Sequence, residues 1–485
     1  MGVFEGKNFI GGRWLAAASK RNFEQRNPAN LDEVTGTFAD SGAEDVDAAI
    51  AAAQAAFPAW RALSPLARKG YLQQALGQLV ARRDEIAAAV TRENGKALRE
   101  AKSEVDSAIK EMDYQIGEGV RLCGQTVPVE TAGTLAYSTR EPLGPVAVIT
   151  PWNFPCNVPG RKGTPALMAG NTVVFKPASL TPRTGLLFTE ILAASGLPAG
   201  VWNCVTGGGG SVGAALVGDA RIKAISFTGS TAVGKTIQLA AARNLTPTQL
   251  ELGGKNPAIV LPDADLDLAV AEIVKGAFAC SGQWCTSTSR VIVLEQTAAD
   301  LTQRLLEAVR ALVVRDGAAP DCGMGPVCGA KQKADILRYV EQGRAEGARL
   351  LVGGTALTGA SYDRGCFVAP TVFDRVEPQM LIAREEIFGP VLVIIAVRSF
   401  EEAVAVANGV AYGLSSSIFT NDLKSALSYL ERAEVGLAHV NLMTALKEPQ
   451  LPFGGVKESG AGLPEAGSSG IEFFTHHKVC YVKYR

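Results

Sequence analysis

The sequence predicts an α/β protein built around parallel β-sheets, and the pattern of its strands is the main reason. From Gly144 onward, short runs that are apolar on both faces alternate with helical stretches such as residues 184–194. The first of these runs are residues 146–149, 172–175, 202–205 and 224–227. Strands that bury both faces and alternate with helices are typical of a doubly wound parallel sheet. Ligands of such sheets bind at the carboxyl ends of the strands.

Three other regions complete the prediction. A second alternating region from residue 257 to about residue 440 has its own strands at residues 290–294, 391–397 and 415–419, which indicates a second α/β domain. Residues 125–141 alternate apolar with small or polar side chains, as expected for exposed strands that pair with another surface. Before the first sheet, residues 46–83 predict two helices separated by Pro58 and Pro65, and a further helix is expected at about residues 84–116.

Composition and charge limit the classes of partner. The 485 residues are 47% hydrophobic and 20% charged, which is enough to form two or three domains. Lys and Arg (47) nearly balance Asp and Glu (48), and no basic cluster is interleaved with aromatic residues. Nucleic acid and an anionic membrane surface are therefore not expected as partners.

The N-terminal residues and the cysteines indicate a cytoplasmic location. Residues 1–14 lack a basic region followed by an apolar core, and no apolar run reaches about 18 residues. Nine cysteines are spread from Cys123 to Cys480 without paired spacings, which is typical of reduced thiols. With only three histidines and no zinc-knuckle spacing, no metal is expected.

The stretch 250–290 holds one candidate base and one candidate nucleophile. Glu251 precedes Gly253 and Gly254, where the missing Cβ atoms let a backbone or a flat ligand approach closely. Cys285 lies in a small, polar segment, so its thiol is expected to be accessible on a loop, as a working thiol requires. By residue type alone, a lone cysteine is more often a small buried residue than a nucleophile. Glu251 closes the first predicted domain and Cys285 belongs to the second, so the pair would meet at the domain interface.

The stretch from Gly229 to Thr236 fits several interpretations. It matches the pattern GxxxxGK[ST] after a predicted strand and before a helix, so a phosphate-loop NTPase is one hypothesis. Against it, the next apolar run meets Pro262 before Asp263, which leaves no clear strand-borne aspartate for a metal. A strand that ends in a Gly-rich turn also points a helix N-terminus at a phosphate, and that phosphate could belong to a dinucleotide. A plain strand-to-helix turn is the third interpretation.

Seven short motifs follow one another along the chain. They are PWNFP at 151–155, FKPA at 175–178, FTGS at 227–230, ELGGK at 251–255, GQWC at 282–285, EIFGP at 386–390 and PFGG at 452–455. In order and spacing they resemble the signature stretches of the NAD(P)-dependent aldehyde dehydrogenase superfamily. This resemblance implies a homodimer or homotetramer with three domains. These are a Rossmann-like cofactor domain (1–122 and 143–253), an α/β catalytic domain (254–457) and a small β oligomerisation arm (123–142 and 470–485).

The resemblance also gives the catalytic residues their roles. Cys285 is implied as the nucleophile that attacks the aldehyde carbon, and Glu251 as the base that activates the deacylating water. The side-chain amide of Asn153 would join the Cys285 backbone N–H in stabilising the oxyanion. Lys162 and Glu465 occupy positions similar to the proton-relay pair of the family.

A site for NAD or NADP follows from the same resemblance. Its implied residues are Trp152, Lys176, Ser179, Gly229, Ser230, Leu252, Glu386 and Phe388. Lys176 would reach the adenosine ribose, Ser230 the pyrophosphate, and Glu386 the nicotinamide ribose, whose hydroxyls are natural partners for a carboxylate. Ser179 stands where many NAD-preferring relatives carry Glu. No negative charge then repels a 2′-phosphate, and NADP is expected to be accepted.

Arg161 indicates the substrate class. Relatives that act on succinate semialdehyde or lactaldehyde have Arg there, whereas relatives that act on plain aliphatic aldehydes often have a large apolar residue. A guanidinium beside the catalytic funnel, which Trp284 and Phe453 are expected to line, predicts a carboxylate or hydroxyl on the substrate. Ala279 occupies the position of a further Arg in succinate semialdehyde enzymes, so 2-oxoglutarate semialdehyde or another oxo-acid aldehyde is an equal alternative. A surface Arg paired with a nearby acid is the structural interpretation.

Other functions make different demands. An NTPase would need Lys235 to bind a γ-phosphate and would hydrolyse ATP with Mg²⁺. A cysteine hydrolase would need a histidine partner, and all three histidines lie far along the chain from Cys285. Within the resemblance, a lactaldehyde-type enzyme or a general aliphatic or aromatic aldehyde dehydrogenase is the alternative. A catalytically silent relative is disfavoured because Asn153, Glu251 and Cys285 are all present.

Overall fold

The structure of the protein is a computed structural model that describes residues 4–485. Helices and strands alternate along most of this range. The α-helices span Ala43–Ala62, Pro65–Ala81, Arg83–Asn94, Leu98–Glu118, Asn157–Ala169, Pro182–Ala194, Ala214–Gly218, Thr231–Ala242, Leu266–Phe278, Glu295–Arg310, Ala330–Ala345, Leu381–Arg384, Phe400–Asn408, Leu423–Arg432 and Gly467–Glu472. No helix within the described range is long and apolar enough to cross a membrane.

The first sheet is parallel in its centre and antiparallel at its edges. Its strands, in spatial order, are Gly460–Ala461, Thr248–Glu251, Ala224–Thr228, Pro145–Ile149, Thr172–Lys176, Trp202–Cys204, Asn8–Ile10 and Arg13–Leu15. The strands predicted from residue 144 onward are confirmed. In the parallel pair that ends at Thr228 and Glu251 these two residues lie opposite each other, so the two motifs FTGS and ELGGK begin side by side.

Burial on both faces explains why this sheet forms. Successive side chains of a strand point to opposite faces. Val146 and Val148 pack into the core that covers one face, whereas Ala147 and Ile149 pack into the core that covers the other. A strand covered on both sides is mainly apolar. A buried polar side chain within it, such as Ser226, is hydrogen-bonded, here to the Lys162 ammonium at 2.9 Å. The site lies at the strand ends.

The second sheet is also mainly parallel. Its strands, in spatial order, are Arg349–Val352, Thr371–Asp374, Val391–Val397, Thr288–Leu294, Asn256–Val260, Ser415–Phe419 and Leu437–Val440. Only the pair of Arg349–Val352 with Thr371–Asp374 is antiparallel among these. The second alternating region is confirmed. The chain passes from the first sheet to the second between Glu251 and Asn256, so the two glycines of ELGGK lie at the junction.

Two predictions about helices are wrong. Pro58 lies inside the helix Ala43–Ala62 and does not end it. The residues after Pro58 stay helical because Trp60 is buried, and the Trp60 indole N–H donates to the Leu167 carbonyl at 3.2 Å. The predicted helix at 84–116 is divided at Gly95, which has φ +93°. A Cβ there would lie 2.8 Å from Pro326, so the break is fixed by close packing.

Smaller sheets complete the fold. The strand Thr475–Lys483 pairs along its length with Thr134–Pro142, which also pairs with Thr126–Val127. The C-terminal strand is longer than the predicted one near 479–483, and its Tyr481 is 73% exposed. A further sheet of Phe4–Gly6, Asn30–Ala39 and Asn22–Asn27 was not expected from the sequence. The short strands Tyr412–Gly413 and Val456–Lys457 pair with each other.

Candidate active site

A cavity of about 970 Å³ opens where the strand ends of the first sheet face the segments that lead into the second. Twelve of the predicted site residues line it: Trp152, Asn153, Arg161, Gly229, Ser230, Leu252, Trp284, Cys285, Glu386, Phe388, Phe453 and Glu465. The other four predicted residues, Lys162, Lys176, Ser179 and Glu251, are described but do not belong to its lining. The structure thus brings most of the predicted set into one space.

Cys285 lies on a tightly held loop and is partly exposed to the cavity. Cys280, Ser281 and Gly282 before it all have positive φ angles, which turns the chain sharply. The Asn256 amide then donates to the Cys285 carbonyl at 2.8 Å and anchors the loop to the second sheet. Burial raises the pKa of the Cys285 thiol to about 12, against the charge of Arg161, which lowers it. The thiol is therefore protonated before any ligand enters.

Asn153 follows the strand Pro145–Ile149 and faces the cysteine loop. Its side-chain N–H donates to the Gln283 carbonyl at 3.0 Å. Its own carbonyl accepts from the buried Lys96 ammonium at 2.6 Å, and that ammonium also pairs with Glu104 at 2.7 Å. Sequence reasoning missed Lys96 and Glu104, because nothing in their local pattern distinguishes them from surface charges of a helical region.

Glu251 ends the strand Thr248–Glu251 and is buried. Its Oε2 atom has no hydrogen-bond partner among the described residues. Gly454 of the motif PFGG comes close on one side, since a Cβ there would lie 2.9 Å from Glu251 Oε1. Burial raises the pKa of this carboxyl well above its usual value, and the charge of Glu465 adds to the effect. Burial therefore favours the protonated form of Glu251.

Lys162, Glu465 and Arg161 form a buried ion cluster. The Lys162 ammonium lies 2.7 Å from Glu465 Oε2, and Arg161 Nη1 lies 3.1 Å from Glu465 Oε1. Burial raises the pKa of Glu465, but the charges of Lys162 and Arg161 outweigh it, so the pKa lies below its usual value. The Glu465 backbone exchanges two hydrogen bonds with Phe453, which fixes the carboxylate in place.

Arg161 is a buried residue, so the interpretation as a surface arginine is wrong. Its side chain is 5% exposed and its guanidinium lies over the Phe453 ring, 4.7 Å from the centroid. Its Nη2 donates to Asn157 Oδ1 at 2.7 Å, and Nε lies 3.8 Å from Glu111. The Nε and Nη1 atoms have no hydrogen-bond partner within residues 4–485. A buried cation with unused donors faces the same cavity as Cys285.

The FTGS turn presents unused polar groups to the cavity. Thr228 Oγ1 has no hydrogen-bond partner in the described chain, and the Ser230 side chain makes no cap bond to the helix Thr231–Ala242. The N-terminus of that helix is suited to a phosphate. Lys235 instead pairs with Glu458 at 2.8 Å and is 58% exposed, so it is not directed at this turn. This arrangement disfavours the NTPase.

The remaining cofactor residues fit a dinucleotide. Glu386 accepts from the Gly254 N–H at 2.9 Å, and burial raises its pKa to about 7. A Cβ at Gly253 would lie 2.3 Å from Glu386 Oε2, so only glycine lets the carboxylate sit there. Lys176 is buried with one hydrogen bond to the Pro177 carbonyl, and burial lowers its pKa to about 8.

Aromatic rings and Ser179 flank this part of the site. Trp152 and Phe388 meet edge to face, with ring centroids 5.3 Å apart, and both line the cavity. The Ser179 hydroxyl donates to the Gly207 carbonyl at 2.9 Å and carries no charge. In the described chain no group of three His, Cys, Asp or Glu side chains has the arrangement of a metal site.

The fold and the cavity are those expected of one class of protein, a dinucleotide-dependent enzyme, and Cys285 lies in the wall of the cavity. The chain belongs to the aldehyde dehydrogenase family, whose model matches residues 14–480. It is therefore an enzyme that oxidises an aldehyde with NAD or NADP, and the sequence predictions of family, fold class and cofactor are confirmed.

Relatives and solved structures cover nearly the whole chain. An alpha-ketoglutaric semialdehyde dehydrogenase of Bacillus subtilis is 43% identical, over 98% of each chain. An alpha-ketoglutarate semialdehyde dehydrogenase of Haloferax volcanii is 40% identical, over 99% of each chain. An NADP dependent enzyme of E. coli superposes with a TM-score of 0.95 at 34% identity, over 99% of this chain and 98% of that one. Betaine aldehyde dehydrogenase of Staphylococcus aureus in complex with NAD+ superposes with a TM-score of 0.96 at 32% identity, over 99% of this chain and 95% of that one.

Proposed function

We propose that the enzyme oxidises a short aldehyde that carries a carboxylate at its far end. The observation that carries this proposal is Arg161, a buried cation in the wall that also holds Cys285. The Arg161 Nε makes no hydrogen bond in the described chain, and Nη1 contacts only the Glu465 carboxylate, at 3.1 Å. A partly desolvated guanidinium binds a carboxylate strongly and with fixed geometry. The names of the Bacillus subtilis and Haloferax volcanii relatives agree with such a substrate.

Among carboxylate-bearing aldehydes, 2-oxoglutarate semialdehyde is the favoured substrate. Both relatives are named for it. Ala279 supplies no second arginine of the kind that succinate semialdehyde enzymes commonly carry at that position, and its carbonyl is occupied by the Trp284 indole N–H at 2.6 Å. Succinate semialdehyde, which is one carbonyl shorter, is the second substrate expected to react.

Cys285 is proposed as the nucleophile. Its thiol loses a proton, and the sulfur adds to the aldehyde carbon to form a thiohemiacetal. The Asn153 amide N–H, which now donates to Gln283, would turn to the oxyanion together with the Cys285 backbone N–H. The nicotinamide cofactor, which Lys176, Ser230 and Glu386 would hold, would supply the acceptor for the hydride that the thiohemiacetal loses. The resulting thioester is hydrolysed by water, which returns the thiol and releases the carboxylic acid.

Glu251 is proposed as the base for that hydrolysis. Burial favours its protonated form, and it must be ionised to take a proton from water, so the turnover rate depends on the charges of Glu465, Lys162 and Arg161 around it. Lys162 and Glu465 lie in contact with each other and both influence the Glu251 carboxyl. We assign them the relay that carries this proton away.

Further assignments follow the same proposal. Lys176, Ser230 and Glu386 would hold NAD or NADP, and the neutral Ser179 would admit the 2′-phosphate of NADP. The first sheet, with residues 1–122 and 143–253, would form the cofactor domain, and residues 254–457 the catalytic domain. The exposed strands within 123–142 and 470–485 would join subunits of a cytoplasmic homodimer or homotetramer.

A substrate panel tests the proposal. Initial rates of NADH and NADPH formation are measured for 2-oxoglutarate semialdehyde, succinate semialdehyde and hexanal. We expect kcat/KM to be highest for the two charged aldehydes. Cys285→Ala should remove activity toward all of them, and Cys123→Ala, which changes an exposed cysteine, is the matched control. Equal kcat/KM values for hexanal and the charged aldehydes would overturn the proposed substrate class.

A further inference from the structure

Charges near Cys285 do not balance within the described chain. Three cations, Arg161, Lys162 and Lys447, meet only two carboxylates, Glu111 and Glu465. We call these five residues the basic cluster. Glu465 bridges Arg161 and Lys162, while one oxygen of Glu111 is shared by Arg161, at 3.8 Å, and Lys447. By formal charge these five side chains hold one unit of positive charge in excess, and burial together with the charge of Arg161 lowers the pKa of Lys447.

Neighbouring acids do not supply the missing charge. Burial raises the pKa of Glu251 well above the usual value and so disfavours its anionic form. Burial also keeps Cys285 neutral before it reacts, with a pKa of about 12. An uncompensated charge away from water is unfavourable, and a bound anion relieves it.

Lys447 is the cation of the cluster that sequence reasoning missed. It lies on the segment between the strands Leu437–Val440 and Val456–Lys457, beside Leu446, and lines the cavity. Its side chain is 23% exposed, so it is accessible to a ligand in the cavity. The second oxygen of Glu111 has no hydrogen-bond partner in residues 4–485, which leaves this carboxylate only partly engaged.

Other cations of the cavity wall are less suited to the substrate. Arg99 donates to the carbonyls of Cys322 and Gly323. Lys275 and Arg338 are exposed. Lys162 is fully buried and does not line the cavity. Among the cations that the structure describes there, Arg161 and Lys447 alone combine burial with access to the cavity.

We propose that Lys447 and Arg161 together bind the terminal carboxylate of the substrate, with Glu111 holding both cations in position while the site is empty. This inference rests on the proposed function and adds a specificity-determining residue to it. Lys447 supplies the second positive charge that Ala279 does not. An arriving carboxylate takes the free donors of Arg161 and neutralises the excess charge, so it gains more than a neutral aldehyde of the same length.

Kinetics of Lys447→Met test this assignment. The measured quantity is the ratio of kcat/KM for 2-oxoglutarate semialdehyde to that for hexanal. We expect the ratio to fall about tenfold, mainly through KM, and Lys447→Arg to recover it to within about threefold. Lys275→Met is the matched control, since it removes an exposed cation from the same cavity wall, and its ratio should change less than twofold.

Several outcomes of this experiment would overturn the inference. One is an equal loss for both aldehydes, which is expected if Lys447 acts only by pairing with Glu111. Another is a decrease of the kcat/KM ratio in Lys275→Met that is as large as in Lys447→Met. That result would mean that the cations of the cavity wall attract the charged substrate without a specific contact. If the wild-type enzyme has nearly equal kcat/KM values for 2-oxoglutarate semialdehyde and hexanal, the proposed substrate class itself is refuted. A high wild-type ratio that Arg161→Leu abolishes and Lys447→Met retains refutes only the role of Lys447.

Glu111→Gln gives a second and independent readout. Glutarate, a five-carbon dicarboxylate, serves as the probe in competitive inhibition of aldehyde oxidation. Removing the Glu111 charge frees Lys447 and Arg161, so we expect the glutarate inhibition constant to fall about fivefold. An unchanged or higher constant in a variant with the wild-type melting temperature contradicts the proposed competition between Glu111 and the substrate carboxylate.

Discussion

Replacing Arg161 by leucine is the change that separates substrate binding from structure most clearly. In the variant, Glu465 keeps Lys162 at 2.7 Å and Glu111 keeps Lys447. No carboxylate loses its last partner, so the fold should escape the roughly 3–5 kcal/mol that breaking a buried ion pair usually costs. A substrate carboxylate, in contrast, would lose the guanidinium that binds it.

The expected loss can be given a magnitude. A partly desolvated charge-assisted contact is worth a few kcal/mol, and a loss of about 2.7 kcal/mol corresponds to roughly a hundredfold in kcat/KM. Arg161 also lowers the pKa of Cys285, so its removal should slow every aldehyde somewhat. The informative quantity is therefore a ratio: the fold-decrease in kcat/KM for succinate or 2-oxoglutarate semialdehyde divided by the fold-decrease for hexanal. We expect this ratio to be roughly a hundred.

Steady-state rates of NADH formation across a range of aldehyde concentrations measure both losses. Arg161→Lys is the companion variant. This variant keeps the positive charge but loses the planar guanidinium donors. Its kcat/KM for the charged aldehydes should therefore lie between the values of the wild type and of Arg161→Leu. Equal losses for charged and uncharged aldehydes would refute the reasoning and make Arg161 a residue that supports only the fold and the thiol.

Other predictions concern the thiol, the base and the cofactor. Cys285→Ala should abolish aldehyde oxidation, and Glu251→Gln should leave a pre-steady-state burst of NADH with little turnover; turnover at the wild-type level in either variant would contradict the assigned roles. Because burial raises the pKa of Glu251, its active, ionised form grows with pH over a higher range than for an ordinary carboxyl group, so wild-type turnover should rise with pH and that rise should vanish in Glu251→Gln. NADP should react within roughly tenfold of NAD, about 1.4 kcal/mol, and Ser179→Glu should shift the preference toward NAD; kinetics more than a hundredfold poorer with NADP would show that another group excludes the phosphate.

Local sequence patterns were sufficient for the sheets and for the central residues of the site. A strand buried on both faces is mainly apolar, so runs such as 146–149 could be recognised without knowing their neighbours. Glu251 and Cys285 occur in short motifs beside strands, and the structure brings those motifs to one cavity or its edge. Pro58 misled the prediction, because the burial of Trp60 outweighs the local preference of proline.

Contacts between distant segments could not be predicted in the same way. Lys447 and Glu111 are separated by 336 residues along the chain, and Lys96 and Asn153 by 57. A helical pattern reports which face of its own helix is buried, but not which charge on another element meets it. Lys447 in particular lies in a segment without regular periodicity, so its place at the cavity became visible only in the structure.

Covalent capture of the substrate on the nucleophile tests the central claim most directly. Glu251→Gln is mixed with NAD and succinate semialdehyde, quenched in acid within the burst phase, digested and examined by peptide mass spectrometry. We expect a succinyl group on the peptide that holds Cys285, located on Cys285 by fragmentation, in an amount close to the NADH released. Release of NADH with an unmodified Cys285, or an acyl group on Cys280 instead, would contradict thiol catalysis at Cys285.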